Sequence, residues 1–220
     1  MPRNIQYEIG KLKKMILRLS SLVEGSLEKA SASVLRVSKI EAEQVVENDK
    51  EIDAMEITVE EECLKLLALH QPVATDLRYI ITVLKINDEL ERIGDLSVNI
   101  AERTLSLFEC EKINLGFDFK LMTQKVIAML KKSVNALIDS DEVSAYEVLY
   151  MDNEIDQMHS EIYDKVQHVA SDKPDSIRIA LHYLSISKHL ERIADHAESI
   201  AENIIYMIGG EIIRHHHSEE

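Results

Sequence analysis

Residues 90–102 read LERIGDLSVNIAE, and residues 190–202 read LERIADHAESIAE. The two stretches stand 100 residues apart and share eight of thirteen positions. A second pair precedes them, DKEID at 49–53 and DNEID at 152–156. Each of the four holds an acid, three residues, then an aspartate: Asp49/Asp53, Glu91/Asp95, Asp152/Asp156 and Glu191/Asp195. On an α-helix, residues four apart share a face. Like charges so placed repel by roughly 0.2–0.5 kcal/mol. Repetition of that cost points to a cation that offsets it.

Apolar periodicity puts all four motifs on helices. From Asn4 to about Arg36, Ile9, Leu12, Ile16, Leu19, Val23, Leu27, Ala30 and Val34 recur in steps of three and four. Ser38 with Glu41 fits a capping box and opens a second helix, carrying Val45, Ile52, Met55, Val59 and Leu66. Pro72 stops it and suits the first turn of a third, which runs to about Phe108. Residues 109–116 lose the pattern. Met122, Val126, Met129, Leu130, Val134 and Leu137 make a fourth helix. Asp139 with Glu142, or Ser140, can cap a fifth through Val148, Ile155, Ile162 and Val166. Pro174 opens a sixth, ended by Gly209 and Gly210.

The second half therefore repeats the plan of the first. A period near 100 residues is a domain duplication rather than a short-repeat solenoid. The expected fold is all-α: two tandem, pseudo-symmetric three-helix bundles, at 1–112 and 113–210, with a polar tail at 211–220. Composition agrees, since six Gly, three Pro and no Trp favour long helices with few turns.

With Glu191 set at zero and about 100° per residue, Asp195, Glu198 and Glu202 lie within about 40° of it. Ile186, Leu190, Ile193, Ala197, Ile200 and Ile204 take the other side. On the third helix Glu91, Asp95 and Glu102 form the acid stripe, and on the second Asp49, Asp53, Glu56 and Glu60 align. If the second and third helices pack antiparallel, their stripes flank one groove. Carboxylate oxygens suit a hard cation such as Mg²⁺, Ca²⁺, Mn²⁺ or iron, and several acids per groove allow a bridged multinuclear site. The plainer alternative is a solvated acidic face. Arg92 and Arg192 each follow a motif glutamate and can pair with a neighbouring acid. His196 and His159 are further candidate ligands, with His189 and His182 behind them. The run His215–His217 offers weak metal affinity.

A formal net charge of −15 argues against a nucleic-acid partner and fits cations or a basic protein surface. Cys63 and Cys110 have no CxxC context and suggest a reducing compartment. No signal peptide and no membrane span is expected. The chain has no GxSxG, Walker loop or HExxH, and no Glu is followed by His three residues later. That disfavours di-iron oxygen chemistry and points to a binding or regulatory protein rather than an enzyme. A carboxylate-bridged metal enzyme or metal store is the alternative.

The doubled LERI-[GA]-D helix, the paired [DE]xxxD motifs, the stretch YEIGKLKKMILRLSSLVEGSLEKA and the ending AENIIYMIGGEIIRH resemble the PhoU family of bacterial phosphate-uptake regulators. The likeness runs from Tyr7 to His215. It implies two three-helix bundles that bind metal on their outer faces. Iron is the leading expectation, in some members as a multinuclear cluster, with manganese, magnesium and zinc as alternatives. It implies a cytoplasmic accessory protein, peripheral to the membrane and homodimeric. Such a protein represses phosphate uptake and the phosphate-starvation response through a phosphate ABC transporter and a sensor histidine kinase. Carried over by position, the metal motif falls on Asp49, Asp53, Glu91, Asp95, Asp152, Asp156, Glu191 and Asp195, with Glu102 and Glu202 matched by repeat position. The halves depart from each other at Gly94/Ala194, Leu96/His196 and Asn99/Ser199, so their sites can differ in ligand count or metal.

Overall fold

The computed structural model describes residues 5–108, 110 and 116–210. Six helices occupy them: α1 Ile5–Arg36, α2 Lys39–His70, α3 Ala74–Phe108, α4 Phe119–Asp139, α5 Glu142–Asp172 and α6 Ile177–Gly209. A 3-10 turn, Pro174–Ser176, precedes α6. Among the described residues there is no strand, and no helix is long and apolar enough to cross a membrane. The tail at 211–220, with His215–His217, lies outside the described residues.

Local chemistry sets the helix ends. Ser38 caps α2, its side chain accepting from the Glu41 N–H at 3.4 Å. The reciprocal half of the capping box is not made, because the Glu41 carboxylate turns to Arg36. Pro72 lies two residues short of α3 rather than in its first turn. Gln71 takes the left-handed cap of α2, with φ 45° and ψ 55°, and its N–H closes on the Leu67 carbonyl. Pro72, which has no N–H, belongs to the connection. The α5 cap is neither Asp139 nor Ser140. Ser140 is spent ending α4 in the left-handed region at φ 54°, and Asp141 accepts from the N–H groups of Val143 and Ser144. Gly210 ends α6 at φ 78°, where a side chain would be strained.

Burial width separates two kinds of helix. The helix α2 buries a narrow line, with Val45, Ile52, Val59 and Leu66 each seven residues from the last. In α5 the line is Val148, Ile155 and Ile162. A strict seven-residue line is a coiled-coil seam, and each such side chain contributes roughly 1.5–3 kcal/mol by leaving water. The helices α1, α3, α4 and α6 bury broader faces.

Helices α1, α2 and α3 pack on one another, as do α4, α5 and α6, which makes the two three-helix bundles. The bundles meet through α1 on α4 and α3 on α6. One layer therefore runs α2, α3, α6, α5, and α1 with α4 lies behind it. Buried apolar residues of all six helices form a single core. At the back, the Ser31 hydroxyl donates to Thr123 Oγ1 at 2.9 Å, fully buried. At the front, Arg78 Nε donates to the Met207 carbonyl at 3.2 Å, and His196 Nδ1 lies 2.6 Å from Glu89 Oε2.

Candidate functional site

The antiparallel pairing of α2 with α3, and of α5 with α6, turns the four motifs into two grooves. Ile52 and Ile155 stand inside the motifs and point into the core, which forces the flanking acids up to the groove rims. In the α2–α3 groove Asp49 and Glu91 are half-buried, and Asp53 and Asp95 are exposed. The α5–α6 groove repeats this, with Asp152 and Glu191 half-buried and Asp156 and Asp195 exposed.

The acids in each groove feel one another. Burial raises the Asp49 carboxyl from 3.8 to about 6, and Asp53 and Asp95 push it further the same way. Burial also raises Glu91, with Asp95, Asp53 and Glu56 adding and the Arg92 cation opposing. Glu56, from the same stripe, is raised by burial and then by Glu60, Asp88 and Asp53. In the second groove Asp152 rises from 3.8 to about 7 through burial, then Glu198, Asp156, Asp195 and Glu191. Glu198 rises from 4.5 to about 7 through burial, then Glu202, Asp195 and Asp156. Asp195 is raised by burial and Glu191, with Lys188 opposing.

The sequence motifs are therefore brought together in two groups, one per bundle. Glu202 belongs to the second group through Glu198. Glu102 stands exposed about two turns beyond Asp95 and joins no such group. Asp88 and Lys188 are the members that the motif reading misses. Each sits three residues before a motif glutamate, on the same helix face, and that spacing is the signal. His196 is spent on Glu89 across the seam between α3 and α6. His159 holds Ser187 Oγ at 2.9 Å beside Glu191 and Asp156.

The donor chemistry fits a hard cation. Asp49 Oδ1 and Asp152 Oδ1, equivalent atoms of the two repeats, are buried with no hydrogen-bond donor, and Glu191 Oε2 is too. A buried carboxylate oxygen without a donor costs free energy that a metal ion would return. The side chains as placed are a charge-dense groove and not a closed coordination shell. Among the described residues no three Asp, Glu, His or Cys side chains are grouped to hold one ion. Asp49, Asp53, Glu91 and Asp95 in one groove, and Asp152, Asp156, Glu191 and Asp195 in the other, would hold it after side-chain rotation. A bound cation would supply the charge that keeps these acids ionised together.

The chain matches the PhoU domain family model over residues 16–104 and again over 119–204, once per bundle. It is 34% identical over 213 residues to the phosphate-specific transport system accessory protein PhoU homolog of Aquifex aeolicus, covering 97% of this chain and 96% of that protein. It is 34% identical over 209 residues to PhoU homolog 1 of Thermotoga maritima, covering 94% and 90%. The crystal structure of PhoU from Pseudomonas aeruginosa superposes with a TM-score of 0.89 at 30% identity, covering 94% of this chain and 100% of that one. The phosphate transport system regulatory protein PhoU from Streptococcus pneumoniae superposes at 0.85 with 28% identity, covering 96% and 99%. With both repeats matched and the fold shared from end to end, this chain belongs to the PhoU family.

Proposed function

We propose that this protein is a metal-binding negative regulator of phosphate uptake and of the phosphate-starvation response. It acts without catalysis, by touching a phosphate ABC transporter and its sensor histidine kinase on the cytoplasmic side of the membrane. The observation that carries the reading is the match of both bundles to one family whose members are named for accessory and regulatory roles in phosphate transport. The two acidic grooves, each with a buried carboxylate oxygen lacking a donor, support metal binding. Iron is the first choice, and a homodimer is the proposed assembly.

Deleting the gene from its host tests this. Phosphate-starvation genes such as alkaline phosphatase should then be expressed in rich phosphate. Unchanged repression in the deletion strain counts against the regulatory role. Complementation with a Glu91→Ala, Asp95→Ala, Glu191→Ala, Asp195→Ala variant separates the metal from the regulation. Full rescue would leave regulation standing and make the grooves dispensable for it.

A further inference from the structure

With 40 acidic and 25 basic residues, the chain has carboxylates to spare for its cations. Lys65, Lys125, Lys131 and Lys188 each sit on a glutamate, and so do Arg18 and Arg36. Arg92, Arg103, Arg178 and Arg192 do not. All four are exposed, and among the described residues none forms an ion pair with a carboxylate. All four stand on α3 or α6, the helices that join the two bundles.

The contacts across that junction place them together. Glu89 faces His196 and Arg78 faces Met207, equal steps taken in opposite directions, so the helices run antiparallel. The same register sets Arg92 opposite Ile193 and Arg192 opposite Ile93. At about 100° per residue, Arg92 and Arg103 lie within about 60° of Glu89, and Arg178 and Arg192 within about 60° of His196. Glu89 is the one acid on either flank, and His196 takes it. Burial and then the Arg103 and Arg178 cations lower the His182 pKa, and burial and then Arg103 and Arg192 lower that of His189. The seam is thus a basic strip between two acidic grooves.

We infer that this seam is a docking strip for an acidic polypeptide segment of a partner protein. The inference rests on the reading that this protein works through protein contacts. Length favours a segment over a single small anion. From Arg178 to Arg192 the strip runs about 21 Å at 1.5 Å per residue, which an extended chain spans with about six residues. Charge favours a foreign segment over a second copy. The duplication axis passes through this seam, so a two-fold dimer closed on it would set arginine against arginine. Arginine forks bind carboxylate pairs and carry the geometry of recognition, while the flanking acids repel any segment out of line.

The test is fluorescence anisotropy of a labelled peptide of about eight glutamates against the full chain at low salt with Mg²⁺ present. Binding is expected, and Arg103→Glu with Arg192→Glu should weaken it by about tenfold or more. Lys39→Glu with Lys125→Glu, an equal charge change away from the seam, should leave it nearly unchanged. Melting curves by circular dichroism confirm that both variants fold. No binding, or equal loss in both variants, overturns the proposal. Displacement by inorganic phosphate but not by chloride of equal ionic strength replaces it with a small-oxyanion site. A mass by light scattering that halves in the seam variant replaces it with self-association. None of these readouts involves phosphate-regulated genes, so failure here and failure of the regulatory reading are separate results.

Discussion

Three residues before the motif glutamate, the α2–α3 groove carries Asp88 and the α5–α6 groove carries Lys188. Seven residues after the first motif aspartate, the same grooves carry Glu56 and His159. In the first groove a neutral donor, Asn87, gives its amide to the Glu56 carbonyl and carboxylate, each at 3.0 Å. In the second, Lys188 Nζ sits 2.6 Å from Glu191 Oε1. Among the described residues the first groove has only the unpaired Arg92 cation acting on Glu91, whereas the second holds Lys188 directly on a motif glutamate. That internal cation accompanies a deeper acid, Glu198, where the first groove has Val98. Duplicated sites with the same motif are therefore not equal sites: the second carries both a directly paired cation and the half-buried acid Glu198, and the first carries neither at the equivalent positions.

The largest effect expected from this contrast is on metal-linked stability. Millimolar Mn²⁺ or Fe²⁺ should raise Tm by about 5–10 °C over chelator, because a ligand of the folded state stabilises it by mass action. Glu191→Ala with Asp195→Ala should remove roughly half of the bound metal. Glu91→Ala with Asp95→Ala should likewise remove roughly half of the bound metal and part of the Tm gain. Elemental analysis and calorimetry on the same samples check both. Identical melting curves with metal and chelator would sink the cation reading, and loss of all metal from either variant would mean one shared site.

The second effect is on pH. Asp49, Asp152 and Glu198 hold protons in the folded chain up to about 6, 7 and 7, against 3.8, 3.8 and 4.5 in the open. Through that window the folded state binds more protons, so stability falls as pH rises. Solvent screening limits each group to under about 1 kcal/mol. Metal-free protein should lose roughly 2–4 °C of Tm between pH 5 and 8. Asp152→Asn should flatten the upper part of the fall, and Asp49→Asn the lower part. A Tm that climbs across this range contradicts the arrangement.

The smallest effect concerns the position where the repeats differ by one methyl. A Cβ at Gly94 would stand 3.2 Å from Ile52 Cδ1 and Cγ2, and 3.6 Å from Asp49 Oδ1. The second groove already carries Ala194 there. Crowding of a flexible isoleucine opposes a helix-propensity gain of about 1 kcal/mol, so Gly94→Ala should shift Tm by less than about 3 °C. A larger loss, read by the same melting curves, would show that α2 cannot yield at Ile52.

The fold was legible because α-helical periodicity is a one-dimensional signal. Long apolar stripes and a 100-residue echo suffice to set six helices and their pairing. The misplaced boundaries at Pro72, Asp139 and Ser140 are end effects, where the backbone of one or two residues decides. Gln71 and Ser140 turn left-handed, and Asp141 takes the cap. Glu102 and Glu202 hold the same repeat position, but only Glu202 has a neighbouring acid, Glu198, where the first repeat has Val98. The seam between α3 and α6 was not legible. Its register depends on tertiary contacts such as Glu89 with His196, separated by 107 positions in the chain. Arg92 and Arg192, which their place beside motif glutamates allows to pair with an acid, are exposed and form no ion pair among the described residues.

The single core shared by all six helices carries a consequence for how such a chain arises. Split between α3 and α4, either half would bare the faces of α1 and α3 that rest on α4 and α6, or their counterparts. A lone repeat with such a face is driven to find a second copy. Joining the copies by the short run between Phe108 and Phe119 replaces an encounter that depends on dilution with one that does not. Once tethered, the copies need no longer be identical. Leu96 and His196, Asp88 and Lys188, and Glu89 and His189 are differences that a symmetric pair of separate chains cannot carry.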